Sequence, residues 1–368
     1  MKNLIPGLPE EIGMECLIRV PHDTFPLLRQ VCRRWKKAVE SPLYHLLRRS
    51  AASSRRLIIF SQAHPSPSNE SSAAAAQKHP CSLPPFRLAA LRPTTGEWAH
   101  LPPIPGLSRG LPLFSGLASA GTNLILVGGW DPDTWAPSSA VYIFSFLSGS
   151  WRRGCPMPGP SRSFFACAAA PDGQVFVAGG HDEEKNALRS AMVYDVGSDD
   201  WTVLPEMAAE RDECTGLFDV NENLFRVIGG YCTSMQGMFG ESAEAFDVGE
   251  RRWREAENAA VEDGECARTC AAGGDGRIYM YGRGRRSVVV KEGEGWREVA
   301  GVPENVRMAS QMVACDRGLM IVVGSGSAGG SQAAYLLEMK QGEAAAWQRV
   351  EMPREYSGYV QSGCCIEI

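Results

Sequence analysis

Gln174–Gly180 reads QVFVAGG, and it is followed by MVYD at Met192–Asp195 and then by Trp201. The same three marks recur on either side. LILVGG at Leu124–Gly129 leads to VYIF at Val141–Phe144 and Trp151, and FRVIGG at Phe225–Gly230 leads to AFD at Ala245–Asp247 and Trp253. Decayed copies end in Tyr281-Gly282 and Val323-Gly324, and Tyr335-Leu336 continues the last of them. The tryptophans Trp98, Trp151, Trp201, Trp253, Trp296 and Trp347 are spaced 53, 50, 52, 43 and 51 residues apart. A unit of roughly fifty residues carrying several short apolar runs is the mark of a four-stranded propeller blade. A strand ending in Gly-Gly needs backbone freedom that a Cβ would block. A Trp and a Tyr or Phe at fixed positions give each blade a large apolar surface to set against its neighbour. One such blade cannot bury both faces, so six of them must close a ring.

The first unit is incomplete. Arg56–Gln62 (RLIIFSQ) matches the strand that elsewhere ends in the glycine pair, and Phe86–Arg92 and Glu97–Leu101 match the two outer strands. No inner strand precedes Arg56. Its pattern reappears at Tyr359–Ile368 (YVQSGCCIEI), so the C-terminal strand is expected to complete the first blade and remove two exposed edges at once. Ser61–Ser82 is poor in bulky apolar residues and is expected to be a disordered loop within that blade.

These motifs resemble kelch repeats, which build β-propellers. The resemblance runs from about residue 56 to the C-terminus, strongest in the second to fourth units. It outweighs one rival reading: LMIVVGSGSAGG at Leu319–Gly330 is formally a strand followed by G-x-G-x-x-G, with Glu343 beyond it, but it falls in register with the other glycine-ending strands. An arginine follows most of the tryptophans by about ten residues: Arg109, Arg162, Arg211 and Arg307, with Arg268 displaced by an insertion. As repeat positions they should share one face near the central opening. Two readings stand side by side: a ring that receives an acidic stretch of a target, or guanidiniums bonded to the backbone of their own blades.

Residues 1–50 have another periodicity. Pro9, Glu10 and Glu11 open a helix whose first turn welcomes Pro and acids, with Ile12, Cys16, Leu17 and Val20 at helical spacing and Pro21 as the stop. A second helical pattern runs through Phe25, Leu28, Val31, Cys32, Trp35 and Val39, with Arg29, Arg33, Arg34, Lys36 and Lys37 on its other faces. So small a unit cannot hold a core alone, and one apolar face should be offered to a partner. The string LPEEIGMECLIRVPHDTFPLLRQVCRRWKKAV resembles an F-box. That resemblance implies docking on a Skp1-type adaptor of a cullin–RING ubiquitin ligase through Leu8, Pro9, Ile12, Leu17, Val20, Pro21, Leu28, Val31, Cys32 and Trp35. With the propeller, the whole chain resembles the plant kelch-domain F-box proteins. The implied role is a substrate receptor holding a target protein on its propeller for ubiquitination and turnover. Some members of that group are linked to turnover of phenylpropanoid enzymes such as phenylalanine ammonia-lyase.

Composition narrows the alternatives. The 368 residues carry a net charge of −5, with 44% hydrophobic residues and 39 Gly and 24 Pro that favour turns and short strands. Residues 1–56 are basic by +6 and the remainder is acidic by −11. The basic residues interleave with an apolar helical stripe, so an acidic protein partner is expected rather than nucleic acid. The start MKNLIPGLPEE does not read as a secretory signal, and Gly110–Trp130 is too broken by Pro and Gly to span a membrane. Twelve cysteines without a CxxC pair indicate buried free thiols in a reducing compartment, cytosol or nucleus. Asp131, Asp133, His181, Asp182, Glu183 and Glu184 follow glycine pairs without a ligand geometry and read as solvated loop acids. No nucleophile–base pair is evident, so neither catalysis nor a cofactor is expected. A propeller scaffold without ligase recruitment, or a propeller enzyme, are the competing functions.

Overall fold

The computed structural model describes residues 3–65, 84–258, 260–261, 265, 267–293, 295–316, 318–327, 330–339 and 344–368. The expected loop at 61–82 thus falls largely outside the described residues, as does Glu343, while Ser61, Gln62 and Ala63 belong to the first strand.

Four helices open the chain: α1 (Glu10–Ile18), α2 (Phe25–Val31), α3 (Arg33–Val39) and α4 (Pro42–Ser50). The second helical pattern of the sequence is two helices, not one. Cys32 between them is fully extended (φ −162°, ψ 166°), and its Sγ accepts the Trp35 backbone N–H, so α3 restarts with its own cap. Ser41 caps α4 in the same way, with Pro42 at the first helical position. Leu17, Ile18, Phe25, Leu28, Val39 and Tyr44 form the small core of this head. The propeller contributes to it: Leu147 packs on that core, and Gly149 lies so close to Pro26 that a Cβ would sit 3.1 Å from the ring.

Blade 1 begins with β1 (Arg56–Ala63), β2 (Phe86–Arg92) and β3 (Glu97–His100). Blade 2 is β4 (Gly116–Ala120), β5 (Asn123–Val127), β6 (Val141–Ser145) and β7 (Ser150–Gly154). Blade 3 is β8 (Ala166–Ala169), β9 (Gln174–Ala178), β10 (Ala191–Asp195) and β11 (Asp200–Leu204). Blade 4 is β12 (Thr215–Asp219), β13 (Leu224–Ile228), β14 (Ala243–Asp247) and β15 (Arg252–Trp253). Blade 5 is β16 (Ala271–Ala272), β17 (Ile278–Gly282), β18 (Ser287–Glu292) and β19 (Gly295–Gly301). Blade 6 is β20 (Met308–Asp316), β21 (Leu319–Ser325), β22 (Ala333–Glu338) and β23 (Ala346–Val350). The last strand, β24 (Val360–Glu367), pairs antiparallel with β1, Leu57 opposite Ile366, and supplies the missing inner strand. Six four-stranded antiparallel sheets therefore close on themselves, and the first and last strands of the chain share one blade. In the described residues β21 leads to the antiparallel β22 and not to a helix, which removes the dinucleotide reading of Leu319–Gly330.

The tryptophan period has a direct cause. Trp98, Trp151, Trp201, Trp253 and Trp347 each donate the indole N–H to a backbone carbonyl of the preceding blade's outer edge, those of Glu351, Pro102, Cys155, Pro205 and Gly301. Apolar clusters fill each space between blades. Ile125, Val127, Val175 and Val177 lie between blades 2 and 3, and Phe176, Phe218, Phe225 and Phe246 between blades 3 and 4.

Candidate functional site

Antiparallel alternation sorts every loop to one of two faces. The turns between first and second strands, and between third and fourth, lie on one face. Leu147 and Gly149 belong to the β6–β7 turn, so the head sits on this side. The loops between second and third strands, and the connections between blades, lie on the opposite face. The arginine series belongs there.

Arg162 and Arg211 each lie four residues before an inner strand, and each locks three segments together. Arg162 donates to the carbonyls of Gly179 and Ser190 and to Ser190 Oγ, while its own carbonyl accepts the Gly129 N–H of the preceding blade. Arg211 repeats this with Gly229, Ser242 and Gly180, and adds an ion pair with Glu244 at 3.1 Å. Gly179 has φ +70°, and a Cβ there would stand 2.4 Å from the Arg211 carbonyl. The glycine pair therefore exists to let the next blade's arginine loop approach. Arg162 is 0% exposed and Arg211 4%. Burial draws the Arg162 guanidinium down to about 10, which leaves it charged at neutral pH.

The expected four-arginine target ring is thereby corrected: two members are internal struts with no surface to offer. Arg109 and Arg307 are exposed. Arg109 lies seven residues before β4, too far out to reach the strand ends, and its Nε stands 3.7 Å from Asp133.

A second network was not anticipated. Ser163 follows Arg162, His181 follows a glycine pair, and Asp212 follows Arg211. His181 Nδ1 is 2.9 Å from both Asp212 carboxylate oxygens, and its Nε2 is 3.0 Å from Ser163 Oγ. This is the connectivity of an acyl-transfer triad. However, Ser163 is 0% exposed and its Oγ also accepts the Trp130 indole N–H, so no substrate carbonyl can reach it. The chain Trp130–Ser163–His181–Asp212 ties blades 2, 3 and 4 together. His181 therefore leaves the loop acids around it, and no group of three or more His, Cys, Asp or Glu among the described residues is arranged to hold a metal.

Inside these belts lies the mouth of the central channel, a cavity of about 360 Å³. Phe114 and Phe164 occupy the same place in successive blades, both in the left-handed region (φ 56° and 57°), with their rings stacked at 3.9 Å. Glu213 takes the third such position (φ 51°) and pairs with Arg268 at 3.0 Å. Bulky residues rarely adopt this backbone. Cys167 and Cys214 line the channel deeper in; burial pushes their thiols up to about 12 and about 11, so they are inert. Met235, Met238 and Phe239 stand exposed on the blade 4 loop of the same face.

On the head, Leu17 and Leu28 are buried, and Trp35 is half-buried with its indole N–H on the Leu4 carbonyl. Leu17 and Leu28 belong to the core, and Trp35 packs against it with part of its ring exposed. Val20 and Pro21 line a cleft against blade 1. Pro9, Ile12, Val31 and Cys32 are exposed, and Leu8 is partly so. Leu27, Leu43 and Leu46 are exposed as well, although the sequence pattern did not single them out. Leu27 and Val31 share one helix face by their spacing, as do Leu43 and Leu46.

Comparison with known proteins gives a consistent result. The F-box domain family matches residues 5–47, and the Kelch motif family matches residues 162–208. The chain is 40% identical over 368 residues to the F-box/kelch-repeat protein At1g15670 of Arabidopsis thaliana, covering all of both. It is also 40% identical over 373 residues to F-box/kelch-repeat protein At1g80440 of the same plant, again covering all of both. A third relative, F-box/kelch-repeat protein At2g44130, is 39% identical over 70% of this chain and 66% of its own length.

Proposed function

The chain belongs to the plant F-box/kelch-repeat proteins, and from that premise we propose that it is a substrate receptor of an SCF-type ubiquitin ligase, docking a Skp1-type adaptor with its head and a target protein with the far face of its propeller. The observation that carries this reading is that, besides isolated residues such as Val203 and Val220, apolar side chains with solvent access gather at two places. One set, Ile12, Leu27, Val31, Leu43 and Leu46, is on the helical head. The other is on the face turned away from it: the exposed Met235, Met238 and Phe239 and the half-buried Phe114–Phe164 stack. Aromatic and methionine side chains at this mouth supply binding energy, and the exposed Arg109 and Arg307 supply charge selection at its rim. The target is a protein, and the family resemblance makes a phenylpropanoid enzyme such as phenylalanine ammonia-lyase the first to test. The role is that of an adaptor and not a catalyst, in the cytosol or nucleus. No helix among the described residues is long and apolar enough to cross a membrane.

The test replaces Leu27 and Val31 with Glu. Both side chains are exposed, so the melting temperature should hold while co-purification of the Skp1-type adaptor falls at least about tenfold, as for loss of central apolar contacts. Adaptor recovery at the level of the unsubstituted chain would refute the docking face.

A further inference from the structure

The cleft where the head meets blade 1 is lined by four arginines. It encloses about 390 Å³, and Arg19, Arg48, Arg55 and Arg92 face it together with His22 and a single carboxylate, Asp23. They come from three parts of the chain: Arg19 and Arg48 from the head, Arg55 from the connection, Arg92 from the end of β2. Arg48 is the most constrained. It is 2% exposed, donates to the carbonyls of Ile18, Val20 and Ser53, and lies 4.9 Å from the Phe25 ring. Its Nε makes no hydrogen bond, and no carboxylate among the described residues pairs with it. A buried guanidinium satisfied only by carbonyls and ring faces leaves its charge uncompensated.

A purely architectural strut would account for Arg48 but not for its companions. The Arg55 guanidinium meets, among the described residues, only the carbonyls of Ala52 and Ser54. Arg92 has an orphaned Nε as well, and pairs with the solvated Glu97; Arg19 pairs with the solvated Glu15. Exposed pairs of that kind hold their partners weakly. The positive potential is visible at His22, whose imidazole is held below its ordinary value by burial first, then by Arg92, with Arg48 and Arg55 adding to the effect against Asp23.

We propose that this seam binds a small polyvalent phosphate, of di- or triphosphate size, which clamps the head to the propeller. Guanidinium forks approaching from three chain segments need an anion with more oxygens than one carboxylate offers, and phosphate meets forks in two-pronged geometry. The cleft is enclosed by head and blade, which favours a free anion over a phosphate carried on a protein segment. Bound there, it joins α1, α4, the connection and blade 1, and so fixes the direction in which the propeller presents its target relative to the adaptor.

The experiment is calorimetric titration of the full chain with inorganic pyrophosphate at constant ionic strength. Parallel arms use a phosphoserine peptide and sodium chloride. Arg55→Gln and Arg92→Gln should each weaken pyrophosphate binding at least about tenfold, while Arg277→Gln, on blade 5, should leave it unchanged. Absence of saturable binding by the unsubstituted chain, or seam variants that bind pyrophosphate as tightly as the unsubstituted chain, overturns the proposal. Tighter binding of the phosphopeptide than of pyrophosphate overturns the free-anion form of it. Should the variants misfold, the unsubstituted chain still decides. With Arg19, Asp23, Arg48, Arg55 and Arg92 around it, His22 must titrate at higher pH by NMR once pyrophosphate is bound, and an unmoved His22 refutes occupancy of the seam. None of these measurements involves adaptor or target, so they stand apart from the ligase reading.

Discussion

Blades 3 and 4 and blades 5 and 6 solve the same packing problem with different chemistry. In the first pair each glycine of Gly179-Gly180 and Gly229-Gly230 takes a positive φ, an arginine locks three segments, and Trp201 and Trp253 bond the preceding blade. In the second pair Gly282 and Gly324 do not take positive φ, and Trp296 Nε1 makes no hydrogen bond. There a hydroxyl stands where the guanidinium would be. Thr269 Oγ1 lies 3.4 Å from the Tyr281 carbonyl, and Ser310 donates to the Val323 carbonyl or to Gln332 Oε1. Between blades 5 and 6 a cluster of Tyr279, Met312, Met320, Val322 and Tyr335 fills the space. The ring closes either way. What the repeat requires is a donor for the carbonyls at the strand end and a filled interface; arginine and tryptophan are one means of meeting that need.

If this is right, removing the latch should cost most where it carries charge. Arg211→Ala leaves Glu244 buried at 1% side-chain exposure without its cation, and should destabilise the propeller by about 3–5 kcal/mol. Arg162→Ala leaves only neutral acceptors, the carbonyls of Gly179 and Ser190, and should cost about 2 kcal/mol. Denaturant unfolding of the two variants orders them. Equal losses would mean that the carboxylate adds nothing, and a loss under about 1 kcal/mol in both would remove the latch as a structural device.

The ring, its closing strand and the helical head were legible in the sequence because each rests on periodicity. Tryptophan spacing, strands ending in Gly-Gly and a missing inner strand before Arg56 all repeat or fail to repeat in plain view. The roles of the arginines were not legible from their spacing to tryptophan. Burial depends on the distance forward to the inner strand, four residues for Arg162 and Arg211 and seven for Arg109, and that count was available. Ser163, His181 and Asp212 come from separate loops and carry no period of hydrophobicity. Their only signal is position: directly after an arginine or a glycine pair. On the head, helical spacing alone does not separate the exposed Leu27, Leu43 and Leu46 from core leucines, and a core of so few residues cannot absorb them all. The break at Cys32 left no Pro or Gly to mark it.

The finest contrast lies within blade 6, between Arg307 and Ser310. Arg307 is exposed, and the blade uses only its backbone: its N–H donates to the Ser325 carbonyl, and its carbonyl accepts from the Tyr281 hydroxyl. Arg307→Ala preserves both bonds and should change stability by less than about 0.5 kcal/mol. Ser310→Ala removes a buried hydroxyl that bonds Val323 and Gln332, and should cost about 1 kcal/mol. Thermal melts in parallel measure the difference, and target capture separates the two in the opposite sense. Arg307→Ala should weaken capture of a target with an acidic segment, because an exposed guanidinium on the face away from the head is free to meet it, whereas Ser310→Ala should not. If Arg307→Ala lowers the melting temperature as much as Ser310→Ala does, the sixth blade still uses its arginine as blades 3 and 4 do, and the substitution of a hydroxyl for a guanidinium is refuted.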